Sequence, residues 1–120
     1  SWYINRLNES INCDSYFLHS KTITPAMANA VSEIVELFIR LRVCQLSHGD
    51  FKANNLLMSE PQPTIIDLDS MNFHASEKKA ERMWHRDIQR FMESWRERYD
   101  IYKQFKQVFS KQGIDISTVL

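Results

Sequence analysis

The longest amphipathic pattern in the chain begins at Thr24 and Pro25, where an N-cap residue precedes a proline at the first helical position. Apolar residues then recur every three or four positions, and this spacing predicts one helix that ends near Gln45. We expect the apolar stripe of this helix to pack in the core. It consists of Met27, Ala30, Val31, Ile34, Leu37, Phe38 and Leu41.

A second helical pattern begins near Ser76, which we predict to be its N-cap. The charged run Glu77–Arg82 is typical of the solvated face of such a helix. Asp100 is a candidate cap for a further helix, which Gly113 would end. The predicted buried stripe of the second helix consists of Ala80, Met83, Trp84, Ile88, Phe91, Met92 and Trp95.

Between these helices the chain predicts a small β-hairpin. Leu56–Met58 is a short apolar strand, and Thr64–Leu68 is a second strand rich in β-branched residues. We predict a turn at residues 60–63, because its two prolines can continue neither a helix nor a strand. Ahead of the first helix, Tyr16–Leu18 is predicted to be a strand or an extended connector. The predicted fold class is therefore α+β and mainly helical.

The composition limits the classes of partner that the chain is expected to bind. The 120 residues suffice for one domain, and Lys+Arg and Asp+Glu count 15 each, a balance that disfavours nucleic acid as a partner. No apolar run approaches the ~20 residues of a membrane span, so we predict no transmembrane segment. Cys13 and Cys44 form no CxxC motif, and we expect two free, buried thiols in a reducing compartment.

Acidic and amide side chains lie around the predicted hairpin. Asp50 precedes the first strand, Asn55 lies at its mouth and Asp67 lies on the second strand. A tight hairpin would bring Asn55 and Asp67 to the same end of two neighbouring strands, where their oxygens can hold Mg²⁺. Asp50 would orient a hydroxyl nucleophile or accept its proton. Lys52 would neutralise charge on a transferred phosphate.

Three motifs resemble those of a known family. The segment His48–Asn55, HGDFKANN, resembles the kinase catalytic loop HRDLxxxN, with Gly replacing Arg as in aminoglycoside and choline phosphotransferases. Ile65–Asp69, IIDLD, resembles the segment that holds the Mg²⁺-binding Asp of DFG. Together with His85–Phe91, HRDIQRF, these motifs look like the bacterial lipopolysaccharide-core kinase family, whose members phosphorylate heptose or Kdo sugars.

The resemblance implies a role for each matching residue, with ATP and Mg²⁺ as cofactors. Asp50 would be the catalytic base or would orient the nucleophile, and Lys52 would contact the nucleotide phosphates. Asn55 and Asp67 would bind Mg²⁺, to which Asp69 would add a further contact.

Two more residues are interpreted as structural support for this loop. Asp87 resembles the buried aspartate that hydrogen-bonds the backbone of the catalytic loop in kinases. We expect His48 to be buried beneath the loop and hydrogen-bonded to backbone.

The resemblance implies that residues 24–120 form the C-terminal lobe of a protein-kinase-like fold. Its catalytic loop would be residues 48–55 and its metal-binding segment residues 65–69. Residues 1–23 would then be a remnant of the N-terminal lobe and its connector. The chain opens with Ser rather than Met and has only two glycines, too few for a Gly-rich phosphate loop. We therefore expect it to be a piece of a longer or truncated protein.

The predicted function is ATP- and Mg²⁺-dependent transfer of phosphate to a sugar hydroxyl, in lipopolysaccharide inner-core heptose or Kdo. The expected location is the cytoplasm, at the inner face of the inner membrane, with peripheral membrane contact through the substrate. An aminoglycoside-like or protein acceptor stays open, and the sequence indicates no oligomeric state.

Three alternatives belong to other classes. The first is a non-catalytic, pseudokinase-like module that binds a partner through its helices. The second is a glycosyltransferase that uses Asp67 and Asp69 as a DxD motif, and the third is a hydrolytic metal site that also includes His48 and Asp50.

Overall fold

The computed structural model describes residues 11–59 and 62–116. The helices are α1 (Cys13–Leu18), α2 (Pro25–Val43), α3 (Glu77–Glu93) and α4 (Tyr99–Lys111). The strands are β1 (Ile11–Asn12), β2 (Leu46–Ser47), β3 (Leu56–Ser59), β4 (Gln62–Ile65) and β5 (Asn72–Phe73). Two short 3₁₀ turns cover Ala53–Asn55 and Leu68–Ser70. The fold is thus α+β and mostly helical, as predicted.

Local capping signals set the starts of the two long helices where the sequence predicts them. The Thr24 hydroxyl accepts the Met27 N–H at 3.1 Å, and the Ser76 hydroxyl accepts the Lys79 N–H at 3.3 Å. Helix α2 ends at Val43, slightly before the predicted end at Gln45, because Gln45 has a left-handed backbone with φ 56° that no α-helix continues.

The N-terminal prediction is wrong. Tyr16–Leu18 is neither a strand nor a connector, but the last part of helix α1. The helix buries Cys13 and Phe17, four positions apart on one face, and the Phe17 ring meets Trp95 with centroids 5.3 Å apart. Tertiary burial has therefore overridden a local aromatic pattern that is typical of a strand.

The strands form two small antiparallel sheets. Strand β3 is central in the order β1-β3-β4, and β2 pairs with β5. Pro63 lies inside β4, opposite Met58, so the expectation that it could not continue a strand is wrong. Because β4 is the outermost strand of its sheet, a residue without an N–H is tolerated there. Strand β4 ends at Ile65, earlier than predicted, and Asp67 lies outside the sheet.

Helix α4 corrects one capping prediction and confirms another. Asp100 is not the N-cap, since it lies in the first turn, where it accepts hydrogen bonds at 2.9 Å from two nitrogens of Arg98. A carboxylate in the first turn still interacts favourably with the helix dipole. Gly113 follows the helix end with φ 79°, and its N–H donates to the Ser110 carbonyl at 2.9 Å, which ends the helix as predicted.

The core is an aromatic cluster that reaches into the loop between β2 and β3. The ring of Phe51, from that loop, lies 4.5 Å from Phe38 of α2 and 5.9 Å from Phe91 of α3 between centroids. Phe105 of α4 closes the cluster from the other side, 5.0 Å from Phe91. The loop is therefore anchored in the core by one of its own side chains.

Two further predictions concern the chain as a whole. Both cysteines are free, but only Cys13 is buried; Cys44 is exposed because it lies beyond the apolar stripe, at the C-cap of α2. Among the described residues, no helix combines the length and the apolar character needed to cross a lipid bilayer. Residues 1–10 of the predicted connector lie outside the described residues, so the division at residue 23 stays a prediction.

Candidate active site

The loop from His48 to Asn55 is held from beneath by a carboxylate of α3. Asp87 is buried, and its two oxygens accept the N–H groups of His48 at 2.8 Å and Gly49 at 3.1 Å. Burial raises the pKa of Asp87 above its usual range, and the two backbone N–H groups act in the opposite direction. The start of the loop is thus tied to the middle of a packed helix.

His48 joins the loop to the segment after β4. Its ring nitrogen Nδ1 accepts the Asp50 N–H at 3.3 Å, which fixes the proton of the neutral ring on Nε2. Nε2 in turn donates to the Ile66 carbonyl at 2.9 Å. Because both ring nitrogens are engaged and the ring is buried, His48 lies where structural support was expected rather than where a metal ligand would lie.

Gly49 lets the loop approach the turn that carries Asp69. Its φ of 93° is in the left-handed region, and a Cβ at this position would lie 2.9 Å from both Cβ and the carbonyl oxygen of Ser70. Any side chain at position 49 would therefore be strained and would collide with the turn. Gly at this position therefore fits the close approach of the turn, which an Arg would not.

The far end of the loop meets the start of the metal-binding segment, residues 65–69. The Asn55 side-chain amide donates to the Asp50 carbonyl at 2.8 Å, which leaves the amide oxygen as the atom suited to a cation. The Asn55 carbonyl accepts the Ile66 N–H at 2.9 Å, so Asn55 lies beside the residue that precedes Asp67. Asn55 precedes β3 and Asp67 follows β4 by two residues, and the expectation that their side chains together hold a cation stays a prediction.

Asp67 and Asp69 are both exposed. Asp67 has a left-handed backbone with φ 60° and ψ 65°, a conformation that aspartate adopts more readily than most residues. Asp69 lies in the 3₁₀ turn that follows. The left-handed residue reverses the chain between β4 and this turn.

The donor set fits Mg²⁺ better than a metal held by protein alone. Within residues 11–59 and 62–116 no group of three or more His, Cys, Asp or Glu side chains could hold a metal ion. The alternative of a hydrolytic site built from His48, Asp50, Asp67 and Asp69 is therefore not supported. One amide oxygen and one or two carboxylates suit Mg²⁺, which usually completes its shell with water and substrate phosphates.

Asp50 stands between two cations. Its Oδ1 accepts the Arg90 Nε–H at 3.2 Å, and its Oδ2 lies 3.7 Å from Lys52 Nζ. A second nitrogen of Arg90 donates to Glu93 at 3.0 Å, and these hydrogen bonds, that to Glu93 first, raise the pKa of Arg90. Both Asp50 and Lys52 remain 40% exposed, so the site is accessible from solvent.

Arg90 lies within the HRDIQRF motif, but the sequence predicted no role for it. A signal was present, because Arg90 follows Asp87 by three positions and so lies on the same face of a helix. A residue three positions after an aspartate that is expected to bind the loop is itself expected to lie near the loop.

An open cleft of about 560 Å³ lies beside the loop. Lys52 and Asn54 line it from the loop, and Arg90, Arg96 and Glu97 line it from α3 and the residues after it. None of the predicted metal ligands lines this cleft. The cleft is therefore separate from the predicted metal ligands and reaches the loop at Lys52, Ala53 and Asn54.

Comparison with known proteins adds one finding. A family model described as RIO domain matches residues 11–108, which include the loop, the strands around it and the whole of α3. No curated protein matches the chain significantly.

Proposed function

The chain belongs to the RIO domain family of the protein-kinase-like superfamily, and from this premise we propose that its loop at residues 48–55 carries out Mg²⁺-dependent transfer of phosphate from ATP to a hydroxyl group. The family is kinase-like, and membership implies ATP-dependent phosphotransfer at that level. The individual roles below and the acceptor belong to the proposal.

One observation carries the proposal most directly. The carboxylate of Asp87 holds the loop on one side, while the Asn55 carbonyl accepts the N–H of Ile66 on the other. These hydrogen bonds tie the loop that carries Asp50, and the residue before Asp67, to the packed fold, which supports the proposal. Phosphoryl transfer depends on such positioning, because the protein contributes little covalent chemistry to it.

In the proposed reaction Asp50 orients the acceptor hydroxyl. The acceptor oxygen forms a bond to the γ-phosphorus while the bond between that phosphorus and the ADP oxygen breaks. The hydroxyl proton passes to Asp50 and from there to water, and Lys52 steadies the charge on the transferred group. The exposure of both side chains leaves room for the acceptor.

Asn55 and Asp67 would hold Mg²⁺, with Asp69 as a further contact, and the ion would neutralise charge on the nucleotide phosphates. The hydrogen bond from the Asn55 amide nitrogen to the Asp50 carbonyl supports this role, since it holds the side chain with its nitrogen directed to the loop.

For the acceptor we propose a sugar hydroxyl, in heptose or Kdo of the lipopolysaccharide inner core. The support is the resemblance of HGDFKANNLL, IIDLDSM and HRDIQRF to the motifs of that kinase family. The cleft beside the loop suits a polyhydroxyl acceptor, because its lining offers donors from Lys52 and Arg96 and acceptors from Glu93 and Glu97. Such an acceptor would place the reaction at the inner face of the inner membrane.

The proposal is tested by calorimetric titration of Mg·ATP into this chain and into the longest natural protein that contains it. Asp67→Ala should abolish Mg²⁺-dependent nucleotide binding. Glu36→Ala, which removes an exposed carboxylate of α2, should leave it unchanged and serves as the matched control.

Unchanged Mg·ATP affinity in Asp67→Ala would contradict the metal assignment. If neither protein binds Mg·ATP, the result would favour a non-catalytic, pseudokinase-like module. The acceptor is tested separately, by comparing phosphate transfer to inner-core sugars with transfer to protein substrates. RIO kinases are protein kinases, so transfer to protein alone would replace the sugar proposal while keeping the phosphotransferase.

A further inference from the structure

We propose that Arg90 is a positioning residue, which holds the carboxylate of Asp50 in the orientation that phosphoryl transfer requires. The inference rests on the proposed function, in which Asp50 orients the acceptor hydroxyl. It assigns to Arg90 a role that neither the family match nor the loop motif contains.

The first argument is the arrangement of α3 beneath the loop. Asp87, Arg90 and Glu93 follow one another at three-residue spacing and so share one face of the helix. Asp87 binds the backbone of the first two loop residues, and Arg90 binds the side chain of the third, Asp50. Helix α3 therefore holds the main chain of the loop through Asp87 and the side chain of Asp50 through Arg90.

The second argument is the way in which Arg90 is itself held. Its Nε donates to Asp50 at 3.2 Å while its Nη1 donates to Glu93 at 3.0 Å. A guanidinium group fixed at two edges loses less freedom with each further contact than a single ammonium does. Although 47% of the Arg90 side chain is exposed, its guanidinium group donates from two nitrogens, Nε and Nη1, to two different carboxylates.

The third argument concerns the two oxygens of Asp50. Oδ1 is bound by Arg90, whereas Oδ2 lies 3.7 Å from Lys52 Nζ, beyond ordinary hydrogen-bond distance. Arg90 thus fixes the rotamer of Asp50 through one oxygen and leaves the other for the acceptor hydroxyl. Arg90 also lines the adjacent cleft, so its guanidinium group joins the Asp50 carboxylate to one wall of that cleft.

The same contact also fits the opposite role, in which Arg90 blocks Asp50 until the acceptor displaces it. The two roles predict opposite effects of removing Arg90 on the rate of phosphate transfer. Removal of a positioning residue slows transfer, whereas removal of a blocking residue accelerates it. A kinetic comparison therefore separates them.

The experiment compares Arg90→Ala, Arg90→Lys and Arg86→Ala in the longest natural protein that contains this chain. Arg86 is the matched control, because it is an exposed arginine of the same helix whose side chain donates to the Met83 sulfur at 3.8 Å. Arg90→Ala should lower kcat by about 10- to 100-fold with the KM for ATP unchanged, since a small misplacement of a reacting group has effects of that size.

Arg90→Lys should restore only part of the rate, because an ammonium group lacks the planar, preorganised fork with which the guanidinium donates to Asp50 and Glu93. Arg86→Ala should leave kcat unchanged, and the urea midpoint of Arg90→Ala should equal that of Arg86→Ala. An unchanged or raised kcat in Arg90→Ala would overturn the inference, and so would a loss of rate matched by an equal loss of folded protein.

A second measurement needs no turnover. With carbon-13 in the aspartate carboxyl groups, the Asp50 resonance is assigned as the signal missing from Asp50→Asn. It should move in Arg90→Ala and stay in place in Arg86→Ala. An Asp50 signal that does not move in Arg90→Ala would show that the contact is absent in solution and overturn the inference. If it moves but the unaltered protein transfers no phosphate, the proposed function fails and the positioning role fails with it, whereas the contact itself stands.

Discussion

The catalytic loop and the metal-binding segment lie side by side but are held in different ways. The loop buries His48, Phe51 and Asn55, and α3 contacts its backbone and its side chains. In the metal-binding segment Asp67 and Asp69 are exposed. The chain itself therefore holds the side chain of Asp50, which is proposed to orient the acceptor. In the proposed reaction Asp67 and Asp69 would be fixed by the ion and the nucleotide, because Mg²⁺ usually completes its shell with water and phosphates.

The largest loss of stability is expected when the side chain that anchors the loop in the core is removed. Phe51→Ala should lower the free energy of unfolding by about 3–5 kcal/mol, because it leaves a cavity between α2 and α3. Phe73→Ala is the matched control, since Phe73 is 67% exposed and its loss should change stability by less than about 0.5 kcal/mol. Urea denaturation measures both. A loss of similar size in the two variants would contradict the anchoring role of Phe51.

A smaller effect is expected where α3 binds the loop backbone. Asp87→Asn keeps the shape of the side chain but turns one acceptor into a donor that faces a backbone N–H. The variant should lose about 1–3 kcal/mol of stability, the penalty of a buried group left unpaired. Hydrogen exchange at the Gly49 amide should also become faster. If that amide stays as protected as before, Asp87 is not what holds the loop.

The pH dependence of the same residue can be derived from its pKa. Burial raises the pKa of Asp87 in the folded state, so between the usual carboxyl pKa and the raised one the folded chain binds more protons than the unfolded chain. The contribution of Asp87 to the free energy of unfolding therefore falls as the pH rises through that window. Asp87→Asn should lack this contribution, which is visible as the difference between the two stability–pH curves.

The smallest effect on stability is expected in the metal-binding segment. Asp67→Gly keeps the left-handed backbone that Asp67 adopts, so the free energy of unfolding should change by less than about 1 kcal/mol. The variant should nevertheless lose Mg²⁺-dependent nucleotide binding, because the carboxylate is gone. A large loss of stability in Asp67→Gly would show that the segment, like the loop, contributes to the stability of the fold.

Features that depend on neighbours in sequence were predicted well. Thr24 and Ser76 cap their helices because capping needs only a side chain and the next turn of backbone. Gly113 ends α4 for a similarly local reason. The apolar stripes of α2 and α3 were found from their spacing, since that spacing is a property of the helix itself.

Features that depend on distant partners were predicted less well. Phe17 lies in a helix because Trp95 and Phe105 bury it, and neither can be inferred from the local sequence. Pro63 is tolerated because β4 is an outer strand, which only the sheet order reveals. Arg90 binds Asp50 across forty positions, so its role depends on how α3 lies against the loop.

For the candidate site, the resemblance supplied the roles and the structure supplies the contacts. The Asp87 carboxylate and the His48 ring lie beneath the loop, where support was expected, and Asn55 lies beside the segment that carries Asp67. The catalytic and metal-binding roles of Asp50, Lys52, Asn55, Asp67 and Asp69 stay predictions until nucleotide binding and transfer are measured.

The contact between Gly49 and Ser70 also bears on how this loop could diverge. A Cβ at position 49 would lie 2.9 Å from Ser70, and the backbone there has φ 93°. A change to the arginine found at this position in HRD-type loops would therefore meet two obstacles at once, one steric and one conformational. An arginine at position 49 would therefore need a second change, a shift of the turn at Leu68–Ser70, before the loop could keep its present course.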